Sequence, residues 1–160
     1  MLKLIALWVV CRRVLYDVGA EMCGIVGSVN KPFCTETLDL IRHRGPDDGK
    51  IESFEIGNTS VYLGYRRLAI QDLSNAGNQP MHSACGRYII VFNGEIYNHY
   101  ELRQRLKGIT WIGHSDTETV VNYIAQFGIA AVRDFNGIFG FCILDLHSHT
   151  LYLSRDRYGV

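Results

Sequence analysis

Reactive side chains converge on one stretch of this sequence, Met22-Cys23-Gly24-Ile25-Val26-Gly27. Methionine is removed from new chains when the next side chain is small, so a chain started at Met22 would expose Cys23 with a free α-amine. A thiol (reference pKa roughly 8.5) and an α-amine (roughly 7.7 to 8.0) are nearly matched, and one residue would then carry both a nucleophile and its general base. Gly24 and Gly27 let a substrate and neighbouring backbone come close to the sulfur. With residues 1–22 attached, the nitrogen of Cys23 is a peptide amide and cannot take a proton. Two expectations follow: translation starts at Met22, which a methionine at that position favours, or residues 1–22 are a pro-segment removed during maturation.

The other reactive residue types form no second centre. The five cysteines, Cys11, Cys23, Cys34, Cys85 and Cys142, are odd in number and contain no C-x-x-C pair, which fits a reduced, cytoplasmic setting. Cys34, Cys85 and Cys142 read as packing residues. The six histidines are scattered, without zinc-site spacing, so no metal is expected. Sixteen basic residues offset sixteen acidic ones, which argues against nucleic acid or an anionic membrane as a partner and for a small molecule. Met1 to Val10 is apolar apart from Lys3, too short to span a bilayer, and its arginines follow the apolar run instead of preceding it. It reads as an untidy extension, neither an export signal nor an anchor.

A chain of 160 residues, 48% apolar and 20% charged, suffices for one buried core. Strands are predicted at 23–30, 61–65, 87–93, 138–146 and 151–154, the last two joined by a polar turn at His147 to Thr150. Helices are predicted over 35–42, from an Asn98 cap through Arg105, and from a Ser115 cap to Gly128, where Ser115-Asp116-Thr117-Glu118 places a Glu three residues after the cap. Arg44-Gly-Pro-Asp-Asp-Gly49 is expected to stop any regular element. Asn93-Gly94, taken alone, suggests a hairpin turn.

Residues 22–160 resemble the glutaminase domain of glutamine-dependent asparagine synthetases, a class II glutamine amidotransferase of the N-terminal-nucleophile hydrolase superfamily. Eight pieces in order carry the resemblance: Met22 to Gly27, Arg42-His-Arg-Gly-Pro-Asp-Asp48, Arg66-Arg-Leu-Ala-Ile-Gln-Asp-Leu73, Gln79-Pro-Met81, Phe92-Asn-Gly-Glu-Ile-Tyr-Asn98, Gly113-His-Ser-Asp-Thr-Glu118, Phe135-Asn-Gly-Ile-Phe-Gly-Phe141 and Arg155-Asp-Arg-Tyr-Gly159. The resemblance implies an α+β fold, a four-layer αββα sandwich of two antiparallel sheets. It implies hydrolysis of L-glutamine to glutamate and ammonia through a γ-glutamyl thioester on Cys23.

By the same resemblance Asn93 and Gly94 would form an oxyanion hole, which reverses the hairpin reading. Arg67 would bind the α-carboxylate, with Arg66 facing away, and Asp116, with Glu95 near it, would hold the α-ammonium. Leu68, Ile70 and Gln71 would line the pocket partly through backbone groups, and His43 would be a structural hydrogen-bonder close by. The sequence stops at Val160 inside a motif that usually continues in another strand, so a fold truncated at its C-terminus is expected. No synthetase domain is recognisable, and ATP and magnesium belong with that domain, leaving this one without a cofactor. The domain division expected is 1–22 as extension and 23–160 as amidotransferase domain, with a synthetase domain as partner. The competing readings are a catalytically silent fragment with Cys23 blocked, retaining at most glutamine binding, and a membrane-anchored module, which is expected to fail.

Overall fold

Period-two alternation along two strands builds the interior. The computed structural model describes residues 2–7, 23–68 and 77–159. In β4 (Thr59–Arg67) the odd-numbered Val61, Leu63 and Tyr65 are buried on one face. β4 lies between β2 (Gly24–Val29) and β3 (Asp48–Ile56), antiparallel to both, in a three-stranded sheet. The second sheet runs β1-β8-β7-β6-β5, from β1 (Lys3–Leu7) through β8 (Thr150–Arg155), β7 (Gly137–Asp145) and β6 (Tyr88–Ile96) to β5 (Met81–His82).

The sheets meet through Ile89 and Val91 of β6 and Cys142 and Leu144 of β7, which pack against Val61, Leu63 and Tyr65. The opposite face of β6 and β7, with Ile90, Phe92, Phe141 and Ile143, is covered by Leu102 of α2 (His99–Arg105) and Val120, Val121 and Ile124 of α3 (Asp116–Phe127). Both faces of β7 are thus buried, which is why its sequence is a nearly unbroken apolar run rather than an alternation. On the outer face of the small sheet lie α1 (Thr35–Asp39), anchored by the buried Leu38, and a 3₁₀ turn at Arg42–Arg44. An added Cβ on Gly24 would meet Ile41 Cδ1 at 2.9 Å, so β2 is packed from that side as well.

The α+β class and the two facing sheets agree with expectation, and the outer layer on the small sheet amounts to these short turns. Four local readings need correction. The untidy extension contains β1, which pairs in parallel with β8 from Lys3↔Thr150 to Leu7↔Ser154, so the larger sheet is mixed rather than purely antiparallel. The glycine- and proline-containing stretch at 44–49 does not exclude regular structure, because β3 begins at Asp48 and pairs with β4 over nine residues. The helix expected over 35–42 divides into α1 and the 3₁₀ turn. Asn93-Gly94 is no turn: both residues continue β6, opposite Gly140 and Phe139.

The Ser115 cap behaves as its spacing implies, with Oγ accepting the Glu118 N–H at 3.2 Å, and α3 ends at Gly128 with φ +82°. The Glu118 carboxylate does not return to the cap. It accepts the N–H groups of Ile112 (2.7 Å) and Gly113 (3.0 Å), fastening the loop before α3.

At the end of β7 the Asp145 carboxylate accepts from Arg87 Nε (2.8 Å) and Nη2 (2.6 Å), from the N–H of His147 and Ser148, and from Ser148 Oγ. Burial pushes this carboxyl up, but the Arg87 guanidinium and the Ser148 and His147 donors outweigh it and hold it well below the usual carboxylate range. Its contribution to stability is therefore complete above the pKa of an unfolded aspartate, roughly 3.9, and is lost as the pH falls toward the lower folded value. Asp145→Asn should lower the melting temperature by several degrees at pH 7, with a difference from wild type that shrinks below about pH 4. A pH-independent difference in thermal denaturation would contradict this.

Candidate functional site

The pairing of β2 with β4 sets Gly24 opposite Arg66 and Ile25 opposite Tyr65, and Cys23 enters just beyond that register. Its Sγ lies 3.4 Å from the Tyr65 hydroxyl, accepts the Leu68 N–H at 3.3 Å and can donate to the Leu68 carbonyl at 3.6 Å. Tyr65 is buried, and burial, reinforced by the neighbouring Cys23, pushes its phenol far up. The phenol thus keeps its proton and can donate to the sulfur.

Alternation carries Arg67 to the same face of β4 as Tyr65, while Arg66 points to the outer face, where its Nη1 lies 3.6 Å from Asp39 Oδ1. Arg67 is 6% exposed, and its Nη1 donates to Asn78 Oδ1 at 2.6 Å. On β6, Asn93 and Glu95 fall on the face that carries Ile89 and Val91, toward the small sheet. The Asn93 Oδ1 atom is buried without a hydrogen-bond partner among the described residues. Such an orphaned buried oxygen is uncommon. Gly94 has φ +144°, and a Cβ there would stand 2.1 Å from the Ile138 carbonyl oxygen. Only glycine fits this bend at the rim of the strand.

Asp116 opens α3, is 6% exposed and accepts the Ile96 N–H at 2.9 Å. Burial pushes its carboxyl up, the Ile96 and Thr117 donors pull it back, and the Glu95 carboxylate pushes it up again. A cation placed near the two carboxylates would favour ionised Asp116. The Tyr65 hydroxyl lies against the sulfur of the half-buried Cys23, and Arg67 and Asp116 are near enough to bear on its titration.

Of the residues singled out from the sequence, Cys23, Arg67, Leu68, Glu95 and Asp116 are linked by these interactions, with Asn93 and Gly94 on the facing strand. Ile70 and Gln71 lie outside the described residues, as do residues 8–22 of the extension. Tyr65, Asn78 and Gln79 went unassigned. For Tyr65, its place two residues before Arg67 on an alternating strand was an available signal. Cys142 is buried as expected, its thiol pushed up to about 12 by burial, whereas Cys34 and Cys85 are exposed and do not pack in the core. Among the described residues no group of three or more His, Cys, Asp or Glu side chains could hold a metal ion, and no helix is long and apolar enough to cross a membrane.

The β2–β4 pair thus ends with a half-buried cysteine and a buried arginine, and a buried aspartate opens α3. The profile of the glutamine amidotransferase domain family matches residues 22–160, and the chain belongs to that family. It is 38% identical over 159 residues to the putative asparagine synthetase [glutamine-hydrolyzing] 2 of Methanocaldococcus jannaschii, covering 87% of this chain and 31% of that protein. It is 39% identical over 152 residues to asparagine synthetase [glutamine-hydrolyzing] 1 of Bacillus subtilis, covering 87% of this chain and 23% of that one. Against the amidase chyE of Penicillium rubens it is 39% identical over 126 residues, covering 78% and 18%. The chain thus spans less than a third of the length of these relatives.

Removing the phenol while keeping its ring tests the sulfur's surroundings. Tyr65→Phe should slow alkylation of Cys23 by iodoacetamide at neutral pH by about tenfold, because a hydrogen bond to a charged group is worth roughly 1.5–3 kcal/mol. Peptide mass spectrometry at Cys23 measures it, with exposed Cys34 as the internal standard. An unchanged Cys23 rate would show that the phenol does not support the thiolate.

Proposed function

We propose that this chain hydrolyses the side-chain amide of free L-glutamine and that the ammonia feeds an ATP-dependent amidation, asparagine synthesis or a similar reaction, carried out by a synthetase domain. The observation that carries the reading is the half-buried Cys23 sulfur hydrogen-bonded to Tyr65 and Leu68 at the end of the strand that carries the buried Arg67, with Asp116 buried at the start of α3. Free glutamine is distinguished from glutamine in a peptide by its α-carboxylate and α-ammonium. Arg67, steadied by Asn78, supplies the planar fork for the carboxylate, and Asp116 with Glu95 supplies the anion for the ammonium. The fold is read as the N-terminal-nucleophile hydrolase type.

With Cys23 as first residue, its α-amine takes the thiol proton and the sulfur attacks the γ-carboxamide carbon. The Asn93 side-chain amide and the Gly94 N–H donate to the developing oxyanion. The C–N bond breaks as the α-ammonium returns the proton to the leaving nitrogen, releasing ammonia and leaving a γ-glutamyl thioester. Water, losing its proton to the α-amine, then attacks the thioester, and glutamate departs as the thiol reforms. The Leu68 N–H donates to the sulfur, and its carbonyl accepts the thiol proton until that proton is transferred. This acyl transfer calls on no cofactor, and ATP with magnesium belongs to the synthetase domain. The setting is cytoplasmic, with neither nucleic acid nor membrane as partner.

The pairing of Lys3–Leu7 with β8 favours a second reading, in which the extension is retained and Cys23 is blocked, so that glutamine is bound at most. Glutamate release together with N-terminal sequencing of protein made in its native cell separates the two. The first reading expects Cys23 as first residue, hydrolysis abolished by Cys23→Ala, and a loss of about two to three decades in kcat for Asn93→Ala. An intact Met1 without glutamate release would overturn it.

A further inference from the structure

Continuing the β5 register, in which Met81 faces Ile90 and His82 faces Ile89, sets Gln79 opposite Phe92. The backbone ladder stops short of that point, because β5 begins at Met81 and Pro80 carries no N–H. The Gln79 side chain takes its place. Its Oε1 accepts the Phe92 N–H at 2.6 Å and its Nε2 donates to the Phe92 carbonyl at 3.1 Å, so one carboxamide supplies both halves of a missing strand pair. The same Nε2 lies 3.5 Å from Thr117 Oγ1, whose hydroxyl is in turn 3.5 Å from Asp116 Oδ1. Gln79 is 3% exposed, so without it the Phe92 backbone groups would be buried and unpaired.

The residues beside these contacts are those of the proposed site. Phe92 precedes Asn93, Thr117 follows Asp116, and Asn78, adjacent to Gln79, accepts from Arg67. Asparagine at position 79 would be one methylene short of β6, and glutamate would lack the donor for the Phe92 carbonyl and Thr117.

We propose that Gln79 is a positioning residue for glutamine hydrolysis, holding the strand that carries Asn93 and the helix turn that carries Asp116 at one fixed separation. The inference rests on the glutaminase reading. A spacer between oxyanion donors and ammonium anchor makes a specific demand: its loss must penalise substrates that use both ends more than substrates that use one. Glutaramate, which is glutamine without its α-amino group, uses only one.

The test measures kcat/KM for glutamine and glutaramate on protein isolated as cells make it, with wild type, Gln79→Met and Thr117→Val. Gln79→Met keeps the chain length and removes every hydrogen bond of the carboxamide; Thr117→Val keeps the Phe92 pairing and removes the hydroxyl that stands between Gln79 and Asp116. Expected losses on glutamine are about a hundredfold and about tenfold, with the preference for glutamine over glutaramate narrowing by about fivefold or more in both. Should Gln79→Met fail to fold, Thr117→Val decides alone. Equal losses on both substrates, or none, in an active background overturn the positioning role and leave the glutaminase reading standing. A wild-type protein that releases no glutamate from glutamine overturns both.

Discussion

The register of β2 against β4 is the constraint from which the site follows. Gly24 opposite Arg66 brings Cys23 to the end of β4, where the Tyr65 hydroxyl and the Leu68 backbone meet its sulfur. A slip by one residue would turn Tyr65 and Arg67 to the outer face and put Arg66 in their place. Burial makes such a slip costly, because Val61 and Leu63 share that face and would leave the core with them. Packing between the sheets therefore fixes the chemistry at their rim.

Across the core, β6 is the matching constraint. Its pairing with β7 carries Asn93 and Gly94 past the point where β5 has ended, and the close approach of the Ile138 carbonyl requires glycine at 94. The Gln79 carboxamide then substitutes for the missing partner strand, and α3 delivers Asp116 to the Ile96 N–H. Arg67 and Asp116 are thus carried by different elements, β4 and α3, an arrangement that suits the proposed zwitterion.

Local rules were legible in the sequence where the interaction is local. The Ser115 cap and the α3 terminus at Gly128 depend on residues within one turn, and both appear as read. Asn93-Gly94 misleads as a dipeptide because a tight-turn signal says nothing of β7, whose Gly140 lies opposite Asn93. β3 was overlooked because its half-exposed residues alternate weakly, and β1 because its partner lies far along the chain. The role of Gln79 depends on a register between residues 79 and 92 that no spacing rule encodes. Cys34 and Cys85 read as packing residues because free cysteines are most often buried, yet both are exposed.

The account stands on Cys23 being a free-amine nucleophile that recognises glutamine. Its most direct test is reaction with a glutamine analogue that carries a diazoketone in place of the carboxamide, followed by mass spectrometry of the peptides. The expected result is one adduct, on a peptide that begins with an unblocked Cys23, and protection from it by glutamine. An adduct on Cys34 or Cys85, or a Cys23 that stays unmodified and joined to Met22, would contradict it.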